Sequence, residues 1–593
     1  MDLLLPIVLA IAAIVAVTVL SQRLGVAAPL LLVLVGVGVS FIPAIPDFQV
    51  PPELILGVIL PPLLYSAAVN LPAMDFRRDF RMISGLSITL VVVTSFAIAG
   101  VLTLLVPGIP FALAVAVGAI VSPTDAVATS IVKKMGISNR VVTVLEGESL
   151  LNDATALVLL RSAIAVTAGT LGSGVFGPVA DGTALGTTLA VGLDFVFAAV
   201  AAVAIGVVVG WLNLRIRAKV SIPAASTAIS FIAPFVAAIP AEAIGASGLV
   251  AAVAAGLVTG HGMPKHLSAE DRITSRRTWH TVELLLEGSV FLVMGLQLSA
   301  VMDDFGTSHD SVLIALGRGR VRVAVILVAR TGFITVILLV LRRSMRRSDD
   351  HRASLDRVQE RIERSDADQR GEQRRRRFSH AVAQRRADLN YYEAQALGPR
   401  EGVVLVWAGM RGAVTLAAAQ TLPPDVEHRS LIVLTAFVVA AGTLLLQGGT
   451  LPWVVRALRL SEPDEAAEAA AARERLDLRR ELVAVATATL ADPDLVRADG
   501  SAYSPEALES MQRGGAIGSK RRDAEQDTTA TDDDLARVSD AMLEHRELRL
   551  ALIAAQRDEL LRLRSVGDYS SAALASVLAV LDADELGIEA RFE

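Results

Sequence analysis

Apolar residues arrive along this chain in blocks, each close to the roughly 20 residues at which a helix crosses a bilayer. Ala, Val and Leu fill the blocks and no two-residue alternation shows. The pattern therefore predicts helices rather than a closed barrel, the two structures that satisfy every backbone group in lipid. Thirteen spans are predicted, at about 3–21, 27–44, 52–70, 83–106, 110–132, 141–167, 187–213, 222–240, 243–261, 280–300, 313–341, 401–420 and 430–457. The fold class is an all-α polytopic membrane protein with a soluble helical C-terminal tail. Residues 3–21 lack a basic leading segment and a cleavage site, so they read as a first span rather than a removed signal.

Charge in the polar connections sets the orientation. Arg23, then Arg77, Arg78 and Arg81, then Lys133, Lys134 and Arg140, then Arg215, Arg217 and Lys219 fall on one side, as do Lys265, Arg272, Arg276 and Arg277. The opposite connections, around 45–51, 107–109, 168–186 and 240–242, carry no Lys or Arg. Arg318, Arg320, Arg322 and Arg429 are the exceptions. Positive charge stays inside, so the N-terminus is placed outside the cell membrane and the C-terminal tail in the cytoplasm. Residues 1–458 read as the membrane domain and 459–593 as the tail. A polar insertion at about 342–400, with Arg342, Arg343, Arg346, Arg347 and the run Arg374–Arg377, reads as a cytoplasmic solvated loop, partly helical. Contact with anionic headgroups is its alternative. In the tail, 464–491 and 533–565 have helical composition and 493–532 reads as a Gly/Ser/Asp-rich linker. The tail regulates, joins a partner or merely tethers; its sequence does not name the partner.

Composition agrees with the pattern. Of 593 residues, 53% are hydrophobic, and the mean hydropathy of +0.54 excludes an ordinary soluble protein. With no cysteine, disulfides and thiolate metal sites are excluded. The net charge of −6 is small, and no nucleic-acid partner and no cofactor are expected.

The candidate chemistry is what remains polar inside the blocks. The sixth span opens on Glu146–Gly–Glu148–Ser149–Leu–Leu–Asn152–Asp153. On a helix Ser149, Asn152 and Asp153 share one face. An ionisable group in hydrocarbon costs about 2.5–3.5 kcal/mol on insertion scales, so it needs a function or a partner. The fifth span carries Ser122–Pro–Thr124–Asp125. Proline in mid-span removes a donor and unwinds the preceding turn. Freed carbonyls, a hydroxyl and a carboxylate suit a hard cation; a simple capped kink is the plainer reading. The twelfth span carries Gly409–Met–Arg411–Gly–Ala413. Arg411 stays charged and needs a partner; Glu148 is the first candidate and Glu146 the second, giving a Glu148–Arg411 ion pair. Arg330 and Glu287 are further supporting charges. Two interrupted spans far apart in the chain fit a transporter built on inverted repeats.

Taken together, Ser122–Asp125, Glu146–Asp153 and Gly409–Ala413 resemble the signature motifs of the cation:proton antiporter 1 family, the sodium/proton exchangers. Leu60–Pro–Pro–Leu–Leu64 and Glu287–Gly295 are similar to weaker motifs of that family. The resemblance covers roughly residues 1–458 and does not extend to the tail. It implies thirteen helices with spans five and twelve unwound and crossed. It also implies a homodimer in which a core of spans 4–6 and 11–13 moves against a dimer domain. By the same resemblance Asp153 binds proton and cation in turn, with Asp125, Thr124 (through its main-chain carbonyl) and Ser149 as further Na⁺ ligands. Asn152 matches the Asn-Asp pair of the electroneutral branch, and Glu148–Arg411 matches a structural ion pair. One position departs: many family members carry a carboxylate just after the Pro-Pro motif, where this chain has Tyr65, Ser66 and Ala67.

The expected activity is exchange of Na⁺ (or Li⁺) for H⁺, with K⁺/H⁺ exchange on the same fold as the alternative. Two readings from other classes are an intramembrane aspartyl hydrolase using Asp125 and Asp153, and a cation-sensing scaffold with the tail as output.

Overall fold

The computed structural model describes residues 4–43, 50–105, 108–167, 184–306, 312–345, 355, 357, 369–424, 426, 429–460, 465–497, 499–512 and 532–590. Apart from one isolated β-bridge between Val496 and Ala502, all regular structure among them is helical. The expected connections at 45–51 and 168–186, the first half of the insertion with Arg346 and Arg347, and 513–531 of the expected linker lie largely outside the described residues, as do the side chains of Arg318, Arg320 and Arg374–Arg377.

The membrane part runs α1 Leu4–Leu24, α2 Ala28–Ser40, α3 Pro52–Asn70, α4 Ala73–Leu104, α5 Phe111–Val121, α6 Val127–Lys134, α7 Asn139–Thr167, α8 Ala184–Arg217, α9 Pro223–Ala243, α10 Gly248–His266, α11 Ala269–Leu296, α12 Leu298–Gly306 and α13 Val312–Met345. After α14 Gln369–Ala394 come α15 Pro399–Trp407, α16 Ala413–Gln420 and α17 Arg429–Ala457. Among the described residues nine stretches are long and apolar enough to cross a membrane, and α2 and α5 are shorter apolar helices. The fifth and twelfth predicted spans are each two half-helices, α5/α6 and α15/α16, interrupted at 122–126 and 408–412.

Two elements extend beyond the apolar pattern. α4 begins ten residues before the predicted span because 73–84 is amphipathic and buries Asp75, Arg78 and Asp79. α11 begins at Ala269, capped by Ser268, whose Oγ accepts from the Asp271 N–H at 3.1 Å. The basic residues first read as connections therefore sit on helix ends. A wider π-type turn at Ile55–Ile59 precedes Pro61 and Pro62, where α-helical donors are missing.

α2 packs on α11, and α10 on α3 and α8; α5 packs on α4 and α7, α13 on α17, and α16 on α17. Small residues bring backbones together: a Cβ on Gly256 would stand 2.6 Å from the Tyr65 carbonyl oxygen.

The chain divides into two compact units, 1–347 with 394–462, and 348–393 with 463–593. The described part of the insertion from Gln369 on thus groups with the tail, where a solvated, partly helical loop belonging to the membrane domain was expected. α14 buries Val382, Ala387 and Tyr391, and its Gln384 Nε2 donates to the Ser565 carbonyl at 3.4 Å.

In the tail, α18 Glu465–Leu490, α19 Pro505–Gln512, α20 Asp532–Val566 and α21 Ser571–Glu589 pack together. Residues 493–512 were expected as linker. They fold instead, because Ser504 caps α19 and Tyr503 and Ala507 bury against Leu548. The pattern Tyr–Ser–x–x–Ala–Leu–x–Ser occurs twice, at 503–510 and 569–576. Each Ser is held by a Glu on the helix of the other half. Glu544 accepts from Ser504 N and Oγ at 2.5 and 2.8 Å, and Glu474 from Ser570 N and Oγ at 2.6 and 2.8 Å. Four residues after each Glu stands a fully buried Leu, Leu478 and Leu548. The two halves are thus copies of one helix–cap–helix unit, interlocked by reciprocal caps.

Candidate functional site

The two breaks meet. The Asp125 N–H donates to the Met410 carbonyl at 2.9 Å, so non-helical backbone from one span satisfies that of the other. Asp125 Oδ1 accepts from the Val127 N–H at 2.9 Å, two residues on, and so holds the turn that leads into α6. Gly412 permits the approach: a Cβ there would collide with the Asp125 carboxylate.

Arg411 lies between the breaks, 3% exposed. Its Nε donates to the Val121 carbonyl at 2.9 Å, Nη2 to that of Ser122 at 3.4 Å and Nη1 to that of Gly409. Its own N–H donates to Thr443 Oγ1 at 3.0 Å. Arg411 therefore satisfies carbonyls released by the unwinding.

The expected Glu148–Arg411 pair is not formed, nor does Glu146 take its place. Glu148 pairs with Arg330: Nη2 stands 2.8 Å from Oε2, and Nη1 bonds Oε1. Thr124 Oγ1 adds a donor to Oε1 at 3.1 Å, and Arg330 Nε donates to the Leu405 carbonyl at 2.9 Å. The reason is geometric: a guanidinium already shared among three carbonyls has no fork left for a bidentate carboxylate. Glu146 instead lies 3.6 Å from the exposed Lys133.

Asn152 Nδ2 reaches Thr124 Oγ1 at 2.5 Å, which fixes the Ser149–Asp153 turn of α7 against the fifth-span break. Asn152 Oδ1 is buried without a hydrogen-bond partner among the described residues. Asp153 and Ser149, one turn apart, are 6% and 7% exposed. The Asp153 carboxylate makes no hydrogen bond or ion pair among the described residues, and neither does that of Glu287 on α11. A cavity of about 10 Å³, room for a single water, is lined by Thr94, Ser122, Glu148, Asn152, Arg330 and Arg411. Thr94 and Ser87 escaped the sequence reading. Thr94 Oγ1 and Ser122 Oγ stand 2.5 Å apart, and Ser87 Oγ donates to the Glu148 carbonyl at 3.2 Å. Their only sequence signal is a hydroxyl inside an apolar block.

Crossed half-helices around a buried carboxylate define a class, the secondary transporters with discontinuous spans. Residues 9–457 match the family described as sodium/hydrogen exchanger, transmembrane, and the chain belongs to that family. It is 30% identical over 595 residues, 98% of this chain and 95% of the other, to the "uncharacterized Na(+)/H(+) exchanger Rv2287" of Mycobacterium tuberculosis strain H37Rv. It is 25% identical to the Na(+)/H(+) antiporter ApNhaP of Aphanothece halophytica, over 73% of this chain and 69% of that one. A sodium, potassium, lithium and rubidium/H(+) antiporter of Bacillus subtilis is 28% identical over 48% and 42%. The solved sodium proton antiporter MjNhaP1 of Methanocaldococcus jannaschii shares the fold, with a TM-score of 0.50 and 15% identity over 78% of this chain and 100% of that one.

Proposed function

We propose that the protein exchanges Na⁺ (or Li⁺) for H⁺ across the cell membrane, about one for one, with Asp153 binding the two in competition. The observation that carries this is Asp153 itself, a buried carboxylate with no ion-pair partner among the described residues. Such a group is neutralised by a proton or by a cation, and comfortably by nothing else. If the empty charged site crosses poorly, each crossing carries one or the other, and exchange follows. Ser149, Asp125 and the Thr124 carbonyl are the proposed further ligands. Membership of a transporter family replaces the hydrolase reading.

The charge pattern supports an external N-terminus and a cytoplasmic tail. The packing of α4 and α7 around α5, and of α13 and α16 on α17, supports a core moving against a second bundle, and the family resemblance supports a homodimer. K⁺/H⁺ exchange is the second reading, favoured by the cations named for the Bacillus subtilis relative.

The test is dequenching of a pH dye in proteoliposomes with an imposed pH gradient, the full wild-type chain beside Asp153→Asn. Na⁺ or Li⁺ collapsing the gradient in wild type alone is the expected result. A response to K⁺ alone moves the substrate to the second reading. Exchange unchanged in folded Asp153→Asn overturns the role of Asp153, and a folded wild type silent to all three cations points to the sensor.

A further inference from the structure

The half-helix α16 is anchored at both ends. Its start, at Gly412, lies against the Asp125 carboxylate. Its last residue, Gln420, donates from Nε2 to Gln297 Oε1 at 3.3 Å. Gln297 directly follows α11, is 2% exposed, and donates its own Nε2 to the Val50 carbonyl at 3.4 Å. Arg429 holds the backbone of this end, donating from Nε to the Leu422 carbonyl at 2.8 Å and from Nη2 to that of Gln420 at 3.0 Å. Eight residues, about 12 Å of helix at 1.5 Å per residue, thus connect the crossing to an amide–amide bridge.

The bridge joins α11, which packs with α2, to α16, which packs with α17. Beside it is a cavity of about 280 Å³, lined by Pro51, Gln297, Asp304, Gln420, Arg429 and Val433. Gln420 Oε1 is buried with no partner among the described residues. Further along α16, toward the crossing, Thr415 is 0% exposed and its Oγ1 is also unpartnered among them. Gln297 and Gln420 line that cavity and Thr415 does not. The bond is between neutral amides, weaker than the charge-assisted Glu148–Arg330 pair. It can break in a transport cycle that leaves the pair intact.

We propose that the Gln297–Gln420 bridge is the gate on this face. It separates the 280 Å³ vestibule from the Asp153 region and opens when α16 moves relative to α11. The proposal rests on the exchanger reading, and the charge pattern of the connections makes this the external face.

The chain has no cysteine, so introduced thiols are unique targets. In full-length Gln297→Cys/Gln420→Cys in proteoliposomes, a short bis-thiosulfonate reagent should cut exchange by at least about tenfold, the scale of a population held in one state. Reduction should restore it, and capping with a monofunctional reagent should not mimic it. A second readout needs no transport. Thr415→Cys should react with an impermeant external maleimide about tenfold faster once Gln420→Leu removes the bridge. Complete bridging with unchanged exchange, or equal Thr415→Cys reactivity with and without Gln420→Leu, overturns the gate. A wild type that exchanges no cation removes the exchanger reading instead, while the maleimide comparison still decides whether the bridge closes this face.

Discussion

Arg330 grips both carboxylate oxygens of Glu148 and reaches on to the Leu405 carbonyl, so one side chain on α13 joins α7 to the first half of the interrupted twelfth span. Both partners are about 1% exposed. Removing one partner of a buried pair leaves the other charge uncompensated, at about 3–5 kcal/mol. Arg330→Ala should therefore lower the melting temperature far more than Glu148→Gln/Arg330→Met, which removes both charges. Equal losses, measured by thermal unfolding in detergent, would show that the pair is not coupled.

Arg411 has a different duty and should respond differently. Its partners are carbonyls, so Glu148→Gln leaves its bonds intact. Glu148 and Arg411 line one small cavity, so some coupling is expected, but Arg411→Lys should couple to Glu148→Gln less strongly on unfolding than Arg330→Ala does, since only Arg330 shares a direct ion pair with Glu148. Coupling as strong as that of Arg330 would restore the pairing read from the sequence.

Gly412→Ala places a methyl on the Asp125 carboxylate. Overpacking of this kind costs about 1–3 kcal/mol, enough to displace one break from the other. Cation-dependent dequenching should fall by about tenfold or more while the protein remains folded, tenfold corresponding to about 1.4 kcal/mol. Activity at the wild-type level would show that the crossing tolerates a Cβ.

In the tail, Glu474→Ala and Glu544→Ala each release a capping Ser. Caps are worth about 1 kcal/mol, so each variant should speed amide exchange in α19, α20 and α21 of the full chain, and by similar amounts because the halves are copies. A change confined to the half that carries the substitution would break the reciprocity.

His545 on α20 is buried with Nδ1 unpartnered among the described residues. Burial, then the charge of Arg549, holds its imidazole below the ordinary value of 6.5. Below pH 6.5 the unfolded tail thus binds the proton before the folded tail does, and stability rises with pH wherever the unfolded state binds more. Amide protection of α20 should fall as pH drops below 6.5, and His545→Gln should flatten that dependence. A flat profile in the wild type would count against it.

Both breaks were legible because Pro123 and the glycines around Arg411 are local causes of unwinding, and the apolar helical character of the membrane part because hydrocarbon demands long apolar runs. The duplicated tail unit was missed, because 493–532 read as linker: the matches at Tyr503–Ser510 and Tyr569–Ser576 are only eight residues long and stand out once their serines are seen under equivalent glutamates.

By itself the sequence determined the helical class, the places where helix gives way and the carboxylates that sit there, since length, hydropathy and proline act locally along the chain. Only the tertiary structure decided which charge met which. Arg330 and Arg411 are equally permanent cations, and nothing in their neighbours shows that one faces Glu148 and the other the freed carbonyls of 121–122. A buried ion pair forms between groups brought into register by packing, and that register is a property of the assembled bundle rather than of either segment.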